Sequence, residues 1–244
     1  MKTKLLSLKK TIALAAWVAV ACLGSGCATN GRYVLLKEYG PSGPADQAQS
    51  LKGITVCIKG FQSAPSLTSA DPKTKPEEPA DFKFHEFTSK ESKLWDEEFR
   101  DLKKKTTKAD WREIGNLRNG FGIVMSHVYA LNDPSTWLAE TLKMDLESQG
   151  AKVVDASMAD SADVGLGGTI QFCRVDIYMK IWGDLVLDLE LQPKGRPAVR
   201  TVLHTGGGTV AWVAATSEFY KPLRECRQKL SYLVSREILK AIKP

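Results

Sequence analysis

Residues 185–191 carry leucine at every second position, and this alternation limits how the rest of the chain can fold. Side chains of a strand point to opposite faces in turn, so the pattern predicts a strand with one buried face. That face needs a cover, and the C-terminal residues from Pro222 onward supply one. Their apolar positions recur mostly every three or four residues, as on one side of a helix. They are Leu223, Cys226, Leu230, Leu233, Val234, Ile238 and Ile242.

The leucine-rich strand belongs to a longer antiparallel meander that we predict at residues 163–213. Its apolar residues change phase once, which predicts a bulge or bend near Cys173. They occupy even positions first and odd positions afterwards: Val164, Leu166, Ile170 and Phe172, then Val175, Ile177, Met179 and Ile181. Three glycines, Gly206 to Gly208, separate the last two predicted strands, 199–203 and 209–213.

A second helix is predicted between Asp133 and Gly150. Asp133 suits the N-cap, Pro134 suits the first helical position, and Gly150 suits the C-terminal end. A short strand at 153–154 follows. The predicted fold class is therefore α+β, with an antiparallel sheet (a meander) packed against two helices.

The first half of the domain is less regular. The first clear strand covers residues 54–58 and is expected to end at Gly60. Residues 63–83 contain four prolines and few large apolar side chains, so burial cannot offset the entropy of ordering them, and we predict a disordered loop. Thr88 and Glu91 have capping-box spacing, which predicts a short peripheral helix. Residues 63–108 are thus expected to be a charged insertion, disordered or peripheral, before two short strands around a glycine turn.

The first 26 residues predict an export signal. Four lysines precede an apolar run of about 13 residues, Thr11 to Leu23, which is the length of a signal-peptide core. A membrane-spanning helix needs about 20 residues. Four of the 34 basic residues lie in this segment, which leaves 30 against 28 acidic residues and a mature net charge near +2. This mixed surface, without a basic stripe interleaved with aromatics, argues against a nucleic-acid partner.

The signal is followed by Gly24-Ser25-Gly26-Cys27, which resembles the lipobox of bacterial lipoproteins. The resemblance implies that Cys27 receives acyl chains such as palmitate and becomes the new N-terminus. It departs from the pattern at Gly24, where a large aliphatic residue is usual. The alternatives are simple cleavage to a soluble exported protein, or Cys22 as the acceptor. Ala28 after the cysteine implies transfer to the outer membrane.

The mature chain is predicted to have two parts. Residues 27–50 are rich in Gly, Pro, Ser, Asp and Gln, apart from Tyr33 to Leu36, and predict a flexible tether of at most about 75 Å. Residues 51–244 are expected to form a single domain. In an oxidising compartment Cys57, Cys173 and Cys226 could pair in three ways, always leaving one unpaired. The alternative, which we favour, is that each is a small buried apolar residue.

Candidate catalytic and metal-binding patterns are weak. The histidines His85, His127 and His204 lack metal-ligand spacing, and the chain has no G-x-S-x-G nucleophile motif. The glycine runs at 165–168 and 206–208 lack the lysine and helix of a phosphate loop, so we interpret them as bulges or close backbone approach. Asp188 and Glu190 share a strand face that we expect to be solvated. We therefore predict no enzyme activity, no cofactor and no metal.

Three segments resemble the YajG-like group of small outer-membrane lipoproteins: Arg118 to Gly122, Thr136 to Val153, and Ala162-Asp163-Val164. The resemblance covers roughly residues 51–240 and implies an uncharacterised envelope lipoprotein without known catalytic residues. The expected function is that of a periplasm-facing accessory or scaffold protein that binds envelope proteins or peptidoglycan. The alternative is a lipid- or small-ligand-binding module of an envelope transport system.

Overall fold

The centre of the fold is a long antiparallel hairpin, β6–β7, in a computed structural model that describes residues 31–42, 50–68, 72–210 and 216–243. The described residues from Gly31 onward form one compact unit. Eight strands make one sheet: β1 (Arg32–Val34), β2 (Thr55–Ser63), β3 (Arg112–Arg118), β4 (Val124–Ala130), β5 (Lys152–Val154), β6 (Val164–Tyr178), β7 (Lys180–Pro193) and β8 (Val199–Thr209).

Strands β6, β7 and β8 form the predicted antiparallel meander, but the sheet as a whole is mixed. The other edge of β6 is shared by two strands that both run parallel to it. Strand β2 pairs with Val164 to Ile170, and β3 pairs with Val175 to Ile177. The purely antiparallel prediction was therefore wrong. Alternating side chains reveal a strand and its buried face, but they carry no information about the direction of its neighbour.

Three α-helices complete the described fold: α1 (Ser89–Lys105), α2 (Pro134–Ser148) and α3 (Lys221–Ile242). Two 3-10 turns, Ala156–Ser161 and Thr216–Phe219, precede β6 and α3. Helix α1 begins with the predicted capping box of Thr88 and Glu91, and α2 begins with the predicted Asp133 cap and Pro134. Gly150 follows α2 with a φ of +90°, the left-handed backbone that glycine adopts readily.

The core lies between the sheet and helices α2 and α3. Helix α3 packs on β7 and β8, α2 packs on β2, and the two helices contact each other. The four leucines of β7 are buried, as is the predicted stripe of α3 except for the half-buried Ile242. The predicted bulge is present as a register shift between Ile170 and Phe172. Within the described residues no helix is long and apolar enough to cross a membrane.

Helix α1 is more closely integrated than a peripheral charged insertion would be. Its Trp95 is fully buried, and the indole Nε1 donates a hydrogen bond to the carbonyl oxygen of Leu35 at 2.9 Å. Residues 72–83 also contact the domain, since the amide of Glu77 donates to the carbonyl oxygen of His204 at 2.7 Å. Residues 69–71 of the predicted disordered loop lie outside the described residues.

The N-terminal segment 31–42 differs most from the sequence expectation. The sequence predicts a tether through residue 50, but β1 pairs in parallel with β4, matching Arg32 with Val128 and Val34 with Ala130. Val34, Leu35 and Leu36 are buried in the core. A three-residue edge strand needs little local pattern when its partner lies elsewhere in the chain. Residues 43–49 lie outside the described residues.

Two glycine positions also correct predicted strand ends. Strand β2 continues past Gly60 to Ser63, with a register shift between Ile58 and Gly60. Strand β8 runs without a break through Gly206 to Gly208, instead of forming two strands. Glycine was expected to interrupt these strands, but each backbone remains hydrogen-bonded to a neighbouring strand. The second of the two strands predicted there extends into residues 211–215, which lie outside the described residues.

Candidate functional site

Helices α2 and α3 meet segment 31–42 at a cluster of buried charges. Arg227 is fully buried, and its Nη1 donates to Asp145 Oδ2 at 2.6 Å, while Nη2 lies 3.2 Å from Glu38 Oε1. Arg224 Nε donates to Glu38 Oε2 at 2.8 Å. The amide of Ser42 donates to Asp145 Oδ1 at 2.6 Å. We call these five residues the N-terminal clamp, because they fasten segment 31–42 to the two helices.

Electrostatics favour the charged form of Arg227 although it is fully buried. Burial alone would lower the pKa of Arg227, but the carboxylates of Glu38 and Asp145 outweigh burial and raise it. Tyr220 donates its hydroxyl to Glu38 Oε1 at 2.6 Å, and its pKa is raised well above 10.0 by burial and by Glu38. Two cations therefore balance two anions, with hydrogen bonds between them. The four charged members of the clamp are buried and Ser42 is half-buried, so we interpret the clamp as a structural element.

An open cleft of about 460 Å³ lies where β7, β8 and the start of α3 meet. The glycine run 206–208 forms its floor and Trp182 forms one wall. The glycines are required by close approach, since a Cβ at Gly207 would lie 2.5 Å from the carbonyl oxygen of Pro222. A Cβ at Gly208 would lie 2.9 Å from the ring of Trp182. This confirms that the run marks close approach of the backbone to other groups.

The inner part of the cleft is polar and charged. Lys229 Nζ lies 2.9 Å from Glu225 Oε1 and 2.6 Å from Glu78 Oε2, and it donates to the carbonyl oxygen of Gly206 at 2.8 Å. Burial lowers the pKa of Lys229, but its hydrogen bonds with Glu78 and Glu225 raise it by more. The cleft thus combines a charged, hydrogen-bonding interior with an aromatic wall. Such a surface suits an amphiphilic small molecule.

The structure places one predicted histidine beside this cleft. His204 is buried, its Nδ1 donates to the carbonyl oxygen of Thr74 at 2.6 Å, and its Nε2 lies 3.4 Å from Asp184 Oδ1. Asp184 also accepts from Arg174 Nη2 at 3.2 Å. His204 therefore fastens residues 72–78 to β8 rather than facing the cleft as a base.

The other candidate residues are dispersed. His127 Nδ1 lies 2.9 Å from Glu113 Oε1 on the β3–β4 surface, and Glu190 forms an exposed ion pair with Arg200 at 2.7 Å. Among the described residues no group of three or more His, Cys, Asp and Glu could hold a metal ion. Cys27, the predicted lipid acceptor, lies outside the described residues.

The three cysteines of the domain are buried free thiols. Their burial agrees with the interpretation of each as a small apolar residue. Burial raises the pKa of Cys173 to about 12 and raises that of Cys226 well above 9.0. Thiolates are the reactive form, so both side chains are protected from oxidation and alkylation in the folded protein.

Sequence reasoning missed the clamp and the cleft. Arg224 and Arg227 lie on α3 next to apolar stripe residues, a pattern that hints at buried cations. Their partners are more than 80 positions away, however, and no local spacing connects them. The cleft is likewise assembled from β7, β8 and α3, and only its glycine floor was visible as a motif.

No protein-family model and no curated protein matches the chain. A solved structure from Xanthomonas campestris, described as DUF330, is 10% identical with a TM-score of 0.41, covering 85% of this chain and 92% of that chain. A second, described as an uncharacterized protein, is 11% identical with a TM-score of 0.46, covering 86% and 99%. Both TM-scores are below 0.5, so neither similarity bears on function.

Proposed function

We propose that this chain is a non-enzymatic lipoprotein of the bacterial cell envelope, related to the YajG-like group. Acylated Cys27 anchors it in the inner leaflet of the outer membrane, and the domain faces the periplasm. The observation that carries the proposal is where the folded domain begins. Strand β1 starts at Arg32, five residues after Cys27, and is held in place by sheet pairing and by the clamp.

This short link limits where the domain can work. Five extended residues reach at most about 18 Å, compared with about 75 Å for the tether expected from the sequence. An acylated chain would therefore keep its domain at the membrane surface. Partners at that surface, such as envelope proteins or the nearest layer of peptidoglycan, are within reach. We propose that the protein acts as an accessory that binds them, without a cofactor.

The test of the anchor is metabolic labelling with a fatty-acid analogue. Cys27→Ser should lose the label completely, because the thiol is the acceptor for the lipid. Cys22→Ser is the matched control, since this cysteine lies inside the apolar run, and it should keep the label. Labelling of the Cys27→Ser chain, or loss of label in Cys22→Ser, would show that the acceptor is wrongly assigned.

A second function is favoured by the cleft between β7, β8 and α3. Its aromatic wall and charged interior support binding of a lipid or another small amphiphile. Native mass spectrometry of the purified protein should then detect a co-purified phospholipid. Trp182→Ala should reduce its occupancy, whereas Trp111→Ala, outside the cleft, should leave it unchanged. Equal occupancy in the two variants would exclude the cleft as the binding site.

A further inference from the structure

Large apolar side chains are exposed at one end of the sheet. Phe121 is 90% exposed in the β3–β4 turn, and Met179 is 81% exposed in the β6–β7 turn. More than a third of each neighbouring apolar side chain is also exposed: Ile123, Val124, Met125, Tyr178, Trp182 and Val210. We call these eight residues the apolar end. Isolated exposed apolar residues are ordinary, but a group of them at one place marks an interaction surface.

Strand pairing brings the two turns together. Strand β3 runs parallel to β6 with Leu117 opposite Ile177, so both strands end on the same side. The hydroxyl of Tyr178 donates to the carbonyl oxygen of Gly120 at 3.3 Å and joins the turns directly. Thr209, next to Val210, pairs with Ile181 and brings the end of β8 to the same place.

The turn at Met179 is held in an unfavourable backbone conformation. Met179 has a φ of +57°, and it is the only described residue other than glycine with a positive φ. This conformation is unfavourable for a residue that carries a Cβ, because the Cβ comes too close to the following carbonyl oxygen. A strained turn that presents an exposed methionine has no use in core packing. Strain of this kind is more common at functional sites.

The N-terminal segment identifies what covers the apolar end. Strand β1 runs parallel to β4 with Arg32 opposite Val128, so the N-terminal end of β1 points to the side where β4 begins. From Val128 to Val124 is about 14 Å along the strand. The five residues that connect to Cys27 reach at most about 18 Å, so an acyl chain on Cys27 can lie level with Phe121 and Ile123.

We infer that the apolar end docks on the lipid bilayer and inserts its side chains into the interface beside the acyl anchor. The inference rests on the proposed acylation of Cys27. Trp182 and Tyr178 are residue types that suit this interface, where one end of the ring is apolar and the other is wet. Lys180 is exposed beside them, with its Nζ 5.4 Å from the centroid of the Trp182 ring, and its cation can reach lipid phosphates. The membrane thus fixes the orientation of the domain.

A site-specific fluorophore tests this docking in the full-length acylated protein. The cysteines of the folded domain are buried, so an environment-sensitive maleimide dye should label an introduced Met179→Cys selectively. Lys194→Cys, in the exposed turn between β7 and β8, is the matched control roughly 40 Å away along the sheet. The protein is reconstituted in phosphatidylethanolamine and phosphatidylglycerol vesicles with and without acyl-chain-brominated lipid.

We expect the dye at position 179 to shift its emission to shorter wavelength and to be quenched by brominated lipid, with neither change at position 194. Adding Phe121→Glu and Ile123→Glu to Met179→Cys should abolish most of the quenching. An acylated, vesicle-bound protein without quenching at position 179 would overturn the inference and leave the anchor intact. Shielding of position 179 that depends on protein concentration without vesicles would show a second copy there and also overturn it. Absence of fatty-acid label would contradict the anchor itself.

Discussion

A few side chains determine where the N-terminal segment lies. Arg227 is on the core-facing side of α3, between Leu223 and Leu230, where an apolar residue would be expected. Its charge is tolerated because Glu38 and Asp145 approach it from two different parts of the chain. A buried ion pair of this kind contributes little net stability over apolar packing, but losing one partner is costly. The clamp therefore fixes the position of segment 31–42 more than it stabilises the folded protein.

Arg227→Met should destabilise the protein by about 3 to 5 kcal/mol, because it leaves Glu38 and Asp145 buried with less positive charge. Arg236→Met, which removes a partly exposed ion pair with Glu77 on the same helix, should cost about 1 kcal/mol or less. Urea unfolding measures both. Similar midpoint shifts in the two variants would show that the clamp is solvated.

At the scale of elements, helix α3 was predictable and its role was confirmed. Leu230 is fully buried against the sheet, so Leu230→Ala should cost about 2 to 5 kcal/mol through lost transfer energy and the cavity left behind. Lys240→Ala, exposed on the same helix, should change stability by less than about 0.5 kcal/mol. Equilibrium urea unfolding compares them. A near-wild-type midpoint for Leu230→Ala would contradict the core assignment.

Elements with a strong local pattern were predicted from the sequence, and elements defined by distant partners were not. The caps of α1 and α2, the bulge in β6 and the stripe of α3 all follow from spacing or residue type within a few positions. Strand β1 has only three residues, and its partners in β4 lie 96 positions further along the chain. The parallel pairing of β2 and β3 with β6 is equally non-local. The predicted break at residues 206–208 was wrong because glycine permits a turn without requiring one.

At the scale of the whole molecule, residues 72–83 connect the outer surface of β8 to α3. Glu77 pairs with Arg236, and Glu78 pairs with Lys229. The sequence predicts disorder here because the segment has few large apolar side chains. Its contacts with the domain include these ion pairs, a backbone hydrogen bond to His204 and the ring of Phe82, whose centroid lies 5.6 Å from Lys229 Nζ. The cleft could not be predicted from the sequence either, because it depends on this segment lying beside β8 and α3. Motif reasoning reached only the glycine floor of the cleft, and acylation of Cys27 stays a prediction.

This arrangement predicts a pH dependence of stability. The hydrogen bond from Arg236 lowers the pKa of Glu77 below 4.5 in the folded state. A lowered folded pKa stabilises the protein above the unfolded pKa, and the stabilisation is lost as pH falls through the folded value. The urea midpoint should therefore fall as pH drops below about 4.5, and Glu77→Gln should reduce this fall. An identical pH profile for the variant would contradict the contribution of Glu77.

The clamp also determines when the domain can fold. Glu38 and Arg224 lie 186 positions apart, and the central strand β6 begins only at Val164. A ribosome adds roughly 5–20 residues per second, so the first half of the chain waits several seconds for its central strand and for α3. A domain with this topology therefore cannot fold step by step from its N-terminus during synthesis. In an exported chain, the same connectivity would keep the polypeptide unfolded until nearly all of it has passed through a translocation channel.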